Sequence, residues 1–243
     1  MSYVNKTVSI NGTEIDFIKA FANELTLADS RITCETDIDA EFTNEDSSHS
    51  ITIIFNVNNC YKLKLVRGYA TGTCDRYKMN RVVNNIEYAT TDLMYSASYT
   101  NSTDVSTRTL NFMLISNDNA IAILFGSYNQ ILPATYSYSV MSYHEQNFNI
   151  AACSNSSNTI ASKSEFIRTD ENHQGETYKI TNRLSYSRDE DVEIIESKPL
   201  MQNNVAVHDM KNVYDCSNVL AGNILSFEDN RYFSIDSNTL IKI

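Results

Sequence analysis

The sequence predicts an all-β fold, a β-sandwich-like arrangement of antiparallel sheets with one short N-terminal helix. Apolar residues recur at every second position in about a dozen short segments, which is the period of one face of a β-strand. The breaks between these segments are rich in Asn and Asp, whereas the chain of 243 residues has only 6 Gly and 2 Pro. Asn and Asp side chains hydrogen-bond the local backbone in turns, so the pattern favours short antiparallel strands joined by Asn-rich turns.

The N-terminal segment predicts a strand followed by the helix. Residues 3–10 alternate in part and favour a strand. Phe17 and Phe21 are spaced for one face of a helix, and Thr13 precedes them as a cap. We expect one or two helical turns over residues 16–25, packed by these two rings, and no other helix in the chain.

Residues 31–42 predict the next strand, and one of its faces carries four carboxylates in succession: Glu35, Asp37, Asp39 and Glu41. One hypothesis is a hard-cation site, because calcium takes several oxygen ligands. Successive residues on one face of a strand lie about 6.8 Å apart, too far for all four carboxylates to reach one ion. We therefore interpret this face as a solvated outer surface and predict no metal site.

Residues 50–68 give the clearest hairpin signal, because two alternating segments flank Asn58 and Asn59. Asn tolerates positive φ better than most residues, so this pair suits a tight turn. The side of the second strand opposite its apolar residues carries Cys60, Lys62, Lys64 and Val66. This face mixes charged and apolar side chains, so we expect it to be only partly solvated or to lie beneath a neighbour. We interpret it as a candidate surface for contact with a partner.

Further strands are predicted through the middle of the chain, over residues 77–88 with a turn at 84–85, 91–99, 107–115, 120–125, 135–143 and 148–152. The 107–115 and 120–125 segments form a second hairpin about residues 117–119. Residues 121–125 are apolar on both faces, as in a buried central strand. Pro133 cannot donate to a strand ladder, so it marks an edge or an end.

The C-terminal part gives strand signals at residues 177–186, 192–197, 224–227, 231–235 and 239–243. Because an apolar strand runs to the last residue, we expect the C-terminus to be pinned into a sheet. The polar residues 155–158 are a candidate surface loop or inter-domain linker. We predict a β-sandwich domain over residues 1–165 and a smaller β-rich C-terminal domain or extension over residues 166–243.

The composition excludes some partner classes. The formal charge is −11, and Lys and Arg are scattered along the chain, which predicts no nucleic-acid partner. The longest apolar run, residues 120–125, is far short of the roughly 20 residues that cross a bilayer, and we see no signal peptide. Five cysteines without a CxxC motif indicate synthesis in a reducing cytoplasm and no disulfide framework.

No motif of a known catalytic or cofactor site occurs, so we predict no catalytic residue, no cofactor and no enzyme activity. The histidines are isolated in sequence: His49, His144, His173 and His208. Each is expected to be a surface or loop residue rather than a ligand or a base. The acidic cluster at residues 189–191 is interpreted as a solvated turn, although a glycan hydrolase would need two such carboxylates across a cleft.

The tyrosine-rich segment 135–143 raises a second possibility, a sugar-binding surface. Tyr136, Tyr138 and Tyr143 could pack on the apolar patches of sugar rings, and Tyr is enriched at interfaces in general. Tyr143 falls on the opposite strand face from the other two, and the chain has no Trp. Ordinary sheet packing is therefore the favoured interpretation.

Three phrases carry a resemblance to a known class of proteins: residues 61–68 (YKLKLVRG), 181–186 (TNRLSY), and 230–235 (NRYFSI) followed by 239–243 (TLIKI). Together with the Asn turns, they resemble small β-rich tail and baseplate-periphery proteins of tailed bacteriophages, and of phage-tail-like particles, of Gram-positive anaerobes. The resemblance implies a non-enzymatic structural component of a virion, assembled in several copies with other virion proteins. It also implies a contact with the host surface, and no catalytic residue to transfer.

Two alternatives stay open at this point. A carbohydrate-binding module would recognise cell-wall glycan through a Tyr-lined groove. A glycan hydrolase would place a carboxylate pair in an acidic cleft.

Overall fold

The computed structural model describes residues 2–43, 51–59, 61–68, 76–83, 86–88, 92–94, 105–125, 138–145, 148–154, 165–168, 177–180, 194–203, 205–216, 219, 222–227, 229–236 and 239–243. Most of them lie in strands, and every strand pairing is antiparallel, so the predicted all-β, sandwich-like fold is confirmed. In the N-terminal half the elements are β1 (Ser2–Gly12), α1 (Glu14–Ala28), β2 (Ile32–Cys34), α2 (Ile38–Thr43), β3 (Thr52–Val57), β4 (Tyr61–Gly68), β5 (Arg76–Val83), β6 (Ile86–Tyr88), β7 (Asp92–Met94), β8 (Ser106–Ser116) and β9 (Ala120–Phe125). They continue as β10 (Tyr138–Glu145), β11 (Phe148–Ser154), β12 (Glu165–Arg168), β13 (Thr177–Ile180), β14 (Ile194–Gln202), β15 (Val205–Cys216), β16 (Ile224–Phe227), β17 (Asn230–Asp236) and β18 (Thr239–Lys242).

The strands form two sheets within the described residues. The larger sheet has twelve strands in the order β1-β8-β9-β10-β11-β12-β13-β14-β15-β18-β17-β16. The smaller has the order β2-β3-β4-β5-β6, with β7 also pairing with β5. The final strand β18 lies between β15 and β17, which confirms that the C-terminus is pinned into a sheet.

Helix α1 begins at a capping box, as Thr13 predicts, but it is longer than the expected 16–25. The Asp16 backbone N–H donates to Thr13 Oγ1 at 3.4 Å, and the Thr13 N–H donates to Asp16 Oδ2 at 3.0 Å. The buried side of the helix places Phe21 edge-on to Phe55 of β3 and Phe112 of β8, at centroid distances of 5.8 and 5.9 Å. The helix therefore packs against both sheets at once, in what we call the first core.

The predicted strand over residues 31–42 is wrong, as is the expectation of a single helix. Only β2 is extended, and α2 follows it. The Ala40 N–H donates to Asp37 Oδ1 at 3.1 Å, so Asp37 caps the new helix. Because Ile38 and Phe42 are four residues apart, they share one face in a helix and also in a strand. Both side chains pack on the first core.

The hairpin of β3 and β4 forms as predicted. Asn58 and Asn59 have φ of 52° and 53°, and Val57 pairs with Tyr61 across the turn. The apolar positions of both strands are buried in the first core: Ile51, Ile53, Phe55, Val57, Leu63 and Leu65. Lys62, Lys64 and Val66 on the other face are half-buried, and a partner contact there stays a prediction.

Strands β8 and β9 form the predicted second hairpin and are buried on both faces. One face belongs to the first core and carries Leu110, Phe112, Leu114, Ile121, Ile123 and Phe125. The other belongs to a second core with Met113, Ile115, Ala120, Ala122, Leu124, Met141, Tyr143, Met210, Val213, Phe233, Ile235 and Ile241. The C-terminal strands of the large sheet thus fold back over β8 and β9, and Tyr3 of β1 stacks near Phe233 of β17 at 5.5 Å.

Strand β15 has no counterpart among the predicted segments. Its buried residues Met210 and Val213 are three positions apart, because Asn212 between them has φ of 58° and interrupts the alternation. Strands on both sides of residue 165 share one sheet and the second core, and the division into two domains there stays a prediction. The Pro133 break, the 155–158 linker and the 189–191 acidic turn lie outside the described residues.

Candidate functional site

A polar cluster joins β10 to β15 at the rim of the second core. His208 Nε2 lies 2.9 Å from Glu145 Oε2, and their side chains are 23% and 19% exposed. The Tyr143 hydroxyl donates to the same carboxylate and accepts from the Lys211 backbone N–H at 2.6 Å. The Lys211 ammonium adds a longer contact of 3.9 Å to Glu145 Oε1. Three groups from two strands therefore converge on one carboxylate.

The electrostatics of this cluster keep Glu145 ionised and Tyr143 protonated. Burial alone would raise the pKa of Glu145, but hydrogen bonds from Tyr143 and His208, with the charge of Lys211, lower it overall. Burial and the hydrogen bond to Glu145 raise the pKa of the Tyr143 hydroxyl. A carboxylate–histidine pair orients the base in triad-type catalysis. Here the neighbouring hydroxyl is already bound on both sides, so the arrangement fixes β10 against β15 and holds no activated nucleophile.

Asn117, at the start of the β8–β9 turn, is the centre of a second polar junction. Its Oδ1 accepts from the backbone N–H groups of Asn119 and Ala120 at 2.9 and 2.8 Å. Its Nδ2 donates to the Lys242 carbonyl at 2.9 Å and, more weakly, to the Asn212 carbonyl at 3.3 Å. One buried carboxamide therefore closes a local turn and also ties it to β15 and β18.

Asn212 and Asn119 extend this junction towards β10. Asn212 Nδ2 donates to Asn119 Oδ1 at 2.8 Å, and Asn119 Nδ2 donates to the His144 carbonyl at 3.1 Å. Asn212, whose φ is positive, therefore connects β15 through Asn119 to β10. These two strands lie far apart in the sheet order.

An open, polar cavity of about 490 Å³ adjoins the junction and is lined by Ala28, Asp29, Ser30, Arg31, Ser116, Asn117 and Asp118. Arg31 binds Asp29 through Nε at 3.0 Å and Nη2 at 2.7 Å, and its Nη1 donates to the Asn117 carbonyl at 2.8 Å. Burial alone would raise the pKa of Asp29, but hydrogen bonds from Arg31 and Ser116 lower it overall. The guanidinium binds within the protein, so it does not face the cavity as a free cation.

The four carboxylates of residues 35–41 are spread over separate contacts. Their donors are Lys62 and Asn56 for Glu35, the Ala40 N–H for Asp37, Lys19 for Asp39, and the Thr52 N–H for Glu41. The hydrogen bond from Lys62 is the main cause of the lowered pKa of Glu35. No group of three or more potential metal ligands occurs among the described residues.

The other residues singled out from the sequence fall as follows. Tyr143 is fully buried, so it cannot offer its ring to a sugar, and Tyr136 lies outside the described residues.

His208 is half-buried and paired, contrary to the expectation of an isolated surface residue, while His144 is exposed. Neither Cys34 nor Cys216 forms a disulfide bond. The His208–Glu145 pairing was missed because the two residues are 63 positions apart and no local pattern links them.

None of the helices in the described part of the chain is long and apolar enough to cross a membrane. Comparison of the chain with models of protein families, with curated proteins and with solved structures gives no match.

Proposed function

We propose that this chain is a non-enzymatic structural component of a bacteriophage virion, located at the periphery of the tail or baseplate, where it can contact the host surface. One observation carries the proposal. The polar groups best suited to chemistry in the described residues, those of His208, Glu145 and Arg31, bind other parts of the same chain. His208 and Glu145 join β15 to β10, and Arg31 ties the segment before β2 to the β8–β9 turn beside the open cavity. These groups hold the fold together, which supports a scaffold role.

The location of the resembling phrases supports the same role. Residues 61–68 form β4, and residues 230–235 and 239–243 supply most of β17 and all of β18, whereas residues 181–186 lie outside the described residues. These strands contribute to the apolar cores, so the shared features belong to a scaffold and carry no reacting group. The partners in this proposal are other virion proteins and further copies of the chain, and its location is the virion.

The test is the protein content of purified particles. Particles banded on a density gradient should contain the chain in several copies each, as measured by quantitative mass spectrometry against a known tail protein. An abundant cytoplasmic protein of the host serves as the control for carry-over. If the chain is present only at the level of that control, the proposal is wrong.

A further inference from the structure

The edge strand β16 ends the twelve-stranded sheet and leaves one side of its backbone unpaired by any described residue. The Ser234 N–H donates to the Asn223 carbonyl at 2.9 Å, and Phe227 pairs with Asn230 at the turn. Hydrogen-bonded pairs alternate along an antiparallel ladder, so Leu225 and Phe227 use their backbone groups towards β17. The N–H and C=O groups of Ile224 and Ser226 therefore point away from the sheet.

The four residues of β16 carry no charge, proline or bulge, although Gly222, with φ of 87°, and Asn223 form a bulge opposite Ser234 just before them. Natural edge strands carry charges, proline or bulges that discourage pairing with another chain. Strand β16 reads Ile-Leu-Ser-Phe, and its Ile224 and Phe227 are 38% and 52% exposed. By contrast, the opposite edge strand β1 carries Lys6, which pairs with Glu24 of α1 at 3.1 Å. Of the two edge strands of the large sheet, β16 is therefore the less protected.

Apolar surface reaches β16 on both faces of the sheet. Ile224 pairs with Phe233, which belongs to the second core. Leu225 pairs with Tyr232, which belongs to a separate cluster on the other face, with Cys216, Val219 and Leu240. A strand added beside β16 would therefore extend two apolar layers and pair the exposed backbone in one step.

We propose that β16 is a dimerisation edge and that its occupant is β16 of a second copy of this chain. A two-fold axis perpendicular to the sheet runs the two strands antiparallel and keeps like faces together, so each apolar layer continues into its own counterpart. With the axis at Leu225, Ile224 of each copy pairs with Ser226 of the other, and all four outward backbone groups on each strand are used. No charged side chain of β16 opposes another.

The dimer is weak and depends on salt. A four-residue strand gives an interface smaller than those of stable complexes, so the dimer forms only weakly. Two copies with a formal charge of −11 each also repel one another, and added salt screens that repulsion. The proposal therefore expects dimerisation to strengthen as the ionic strength rises.

Sedimentation velocity of the purified full chain over a range of concentrations, at low and high salt, tests the proposal. Ser226→Pro removes one outward N–H and leaves the ladder with β17 intact, and Ile224→Lys places a charge at the edge. Each variant should weaken dimerisation at least about tenfold, whereas Ser226→Ala should not change it. Circular dichroism and thermal unfolding verify that the variants are folded.

A chain that stays monomeric at every concentration and salt level overturns the inference, as does a dimer that neither Ser226→Pro nor Ile224→Lys weakens. The choice of a second copy as the occupant rests on the assembly role proposed above. The two can fail separately: a monomer found in virions refutes the dimer edge alone, whereas a dimer absent from virions refutes the virion role alone.

Discussion

The two large cores of this protein are held in different ways. The first core joins α1 to both sheets through apolar contacts, and α1 itself begins at the local capping pair Thr13 and Asp16. The second core joins β8–β10 to the C-terminal strands, and buried or half-buried polar groups bridge its rim. The comparison suggests that local signals build one half of the scaffold, while long-range polar contacts fix the other half onto it.

The largest expected effect comes from removing one aromatic ring from each core. Phe21→Ala in the first core and Phe233→Ala in the second should each lower the free energy of unfolding by about 3 to 5 kcal/mol, because both rings are fully buried. Urea denaturation followed by circular dichroism and by tyrosine fluorescence measures the effect. Leu27→Ala is the control, since Leu27 is 73% exposed and should change the stability by less than about 0.5 kcal/mol.

The shape of the transitions tests whether the two cores unfold together. If they form one cooperative unit, both variants keep a single transition that is the same by the two probes. A transition that splits in Phe233→Ala but not in Phe21→Ala would show that the C-terminal strands detach first, and would support a separate C-terminal unit.

The next largest effect is expected at Asn117. Asn117→Ala leaves the Ala120 N–H without its acceptor and the Lys242 carbonyl without this donor, at a cost of about 2 to 3 kcal/mol in the free energy of unfolding. Asn117→Asp separates the two roles of the carboxamide. The carboxylate keeps the acceptor for the turn but places a charge against the Lys242 carbonyl.

We therefore expect Asn117→Asp to be destabilised about as much as Asn117→Ala, as measured by urea denaturation. Asp118→Asn, an exposed change in the same turn, is the control and should have little effect. An Asn117→Asp variant as stable as the unmodified chain would show that only the local turn matters and that the contact to β18 contributes little.

The first core was largely predictable from the sequence because its signals are local. The β3–β4 hairpin shows strict alternation about Asn58 and Asn59, and the Thr13 cap lies next to the apolar face of α1. The strand predicted over residues 31–42 was wrong because the local pattern of apolar residues there is ambiguous. Ile38 and Phe42 fit a strand face and a helix face equally well, and the Asp37 cap with packing on the first core decides for the helix.

The second core and its polar rim could not be predicted in the same way. Asn212 breaks the alternation of β15, so the strand has no clear period in sequence. The 117–119 turn was predicted, but the contact of Asn117 with Lys242 spans 125 positions and leaves no local trace. Which residues meet in such junctions depends on how the C-terminal strands fold back over β8 and β9. That arrangement is set by all strands of the sheet together.

The smallest expected effect concerns the pH dependence of the joint between β10 and β15. The fold lowers the pKa of Glu145 below its ordinary value of 4.5. A lowered carboxylate pKa contributes stability above the ordinary value, and this contribution is lost as the pH falls through the folded-state value. Glu145→Gln should therefore cost about 1 kcal/mol at neutral pH, where a charge-assisted hydrogen bond is replaced by a neutral one.

The difference between the unmodified chain and Glu145→Gln should shrink as the pH falls below 4.5, because protonated Glu145 resembles the amide. Urea midpoints measured from neutral pH down to the acid limit of folding give this difference directly. Glu35→Gln is the matched control: the pKa of Glu35 is also lowered, but its partner Lys62 belongs to the smaller sheet. If Glu145→Gln and Glu35→Gln lower the urea midpoint equally, the rim of the second core does not depend specially on the Glu145 contact. A larger loss in Glu145→Gln supports the view that this rim is held by long-range polar contacts.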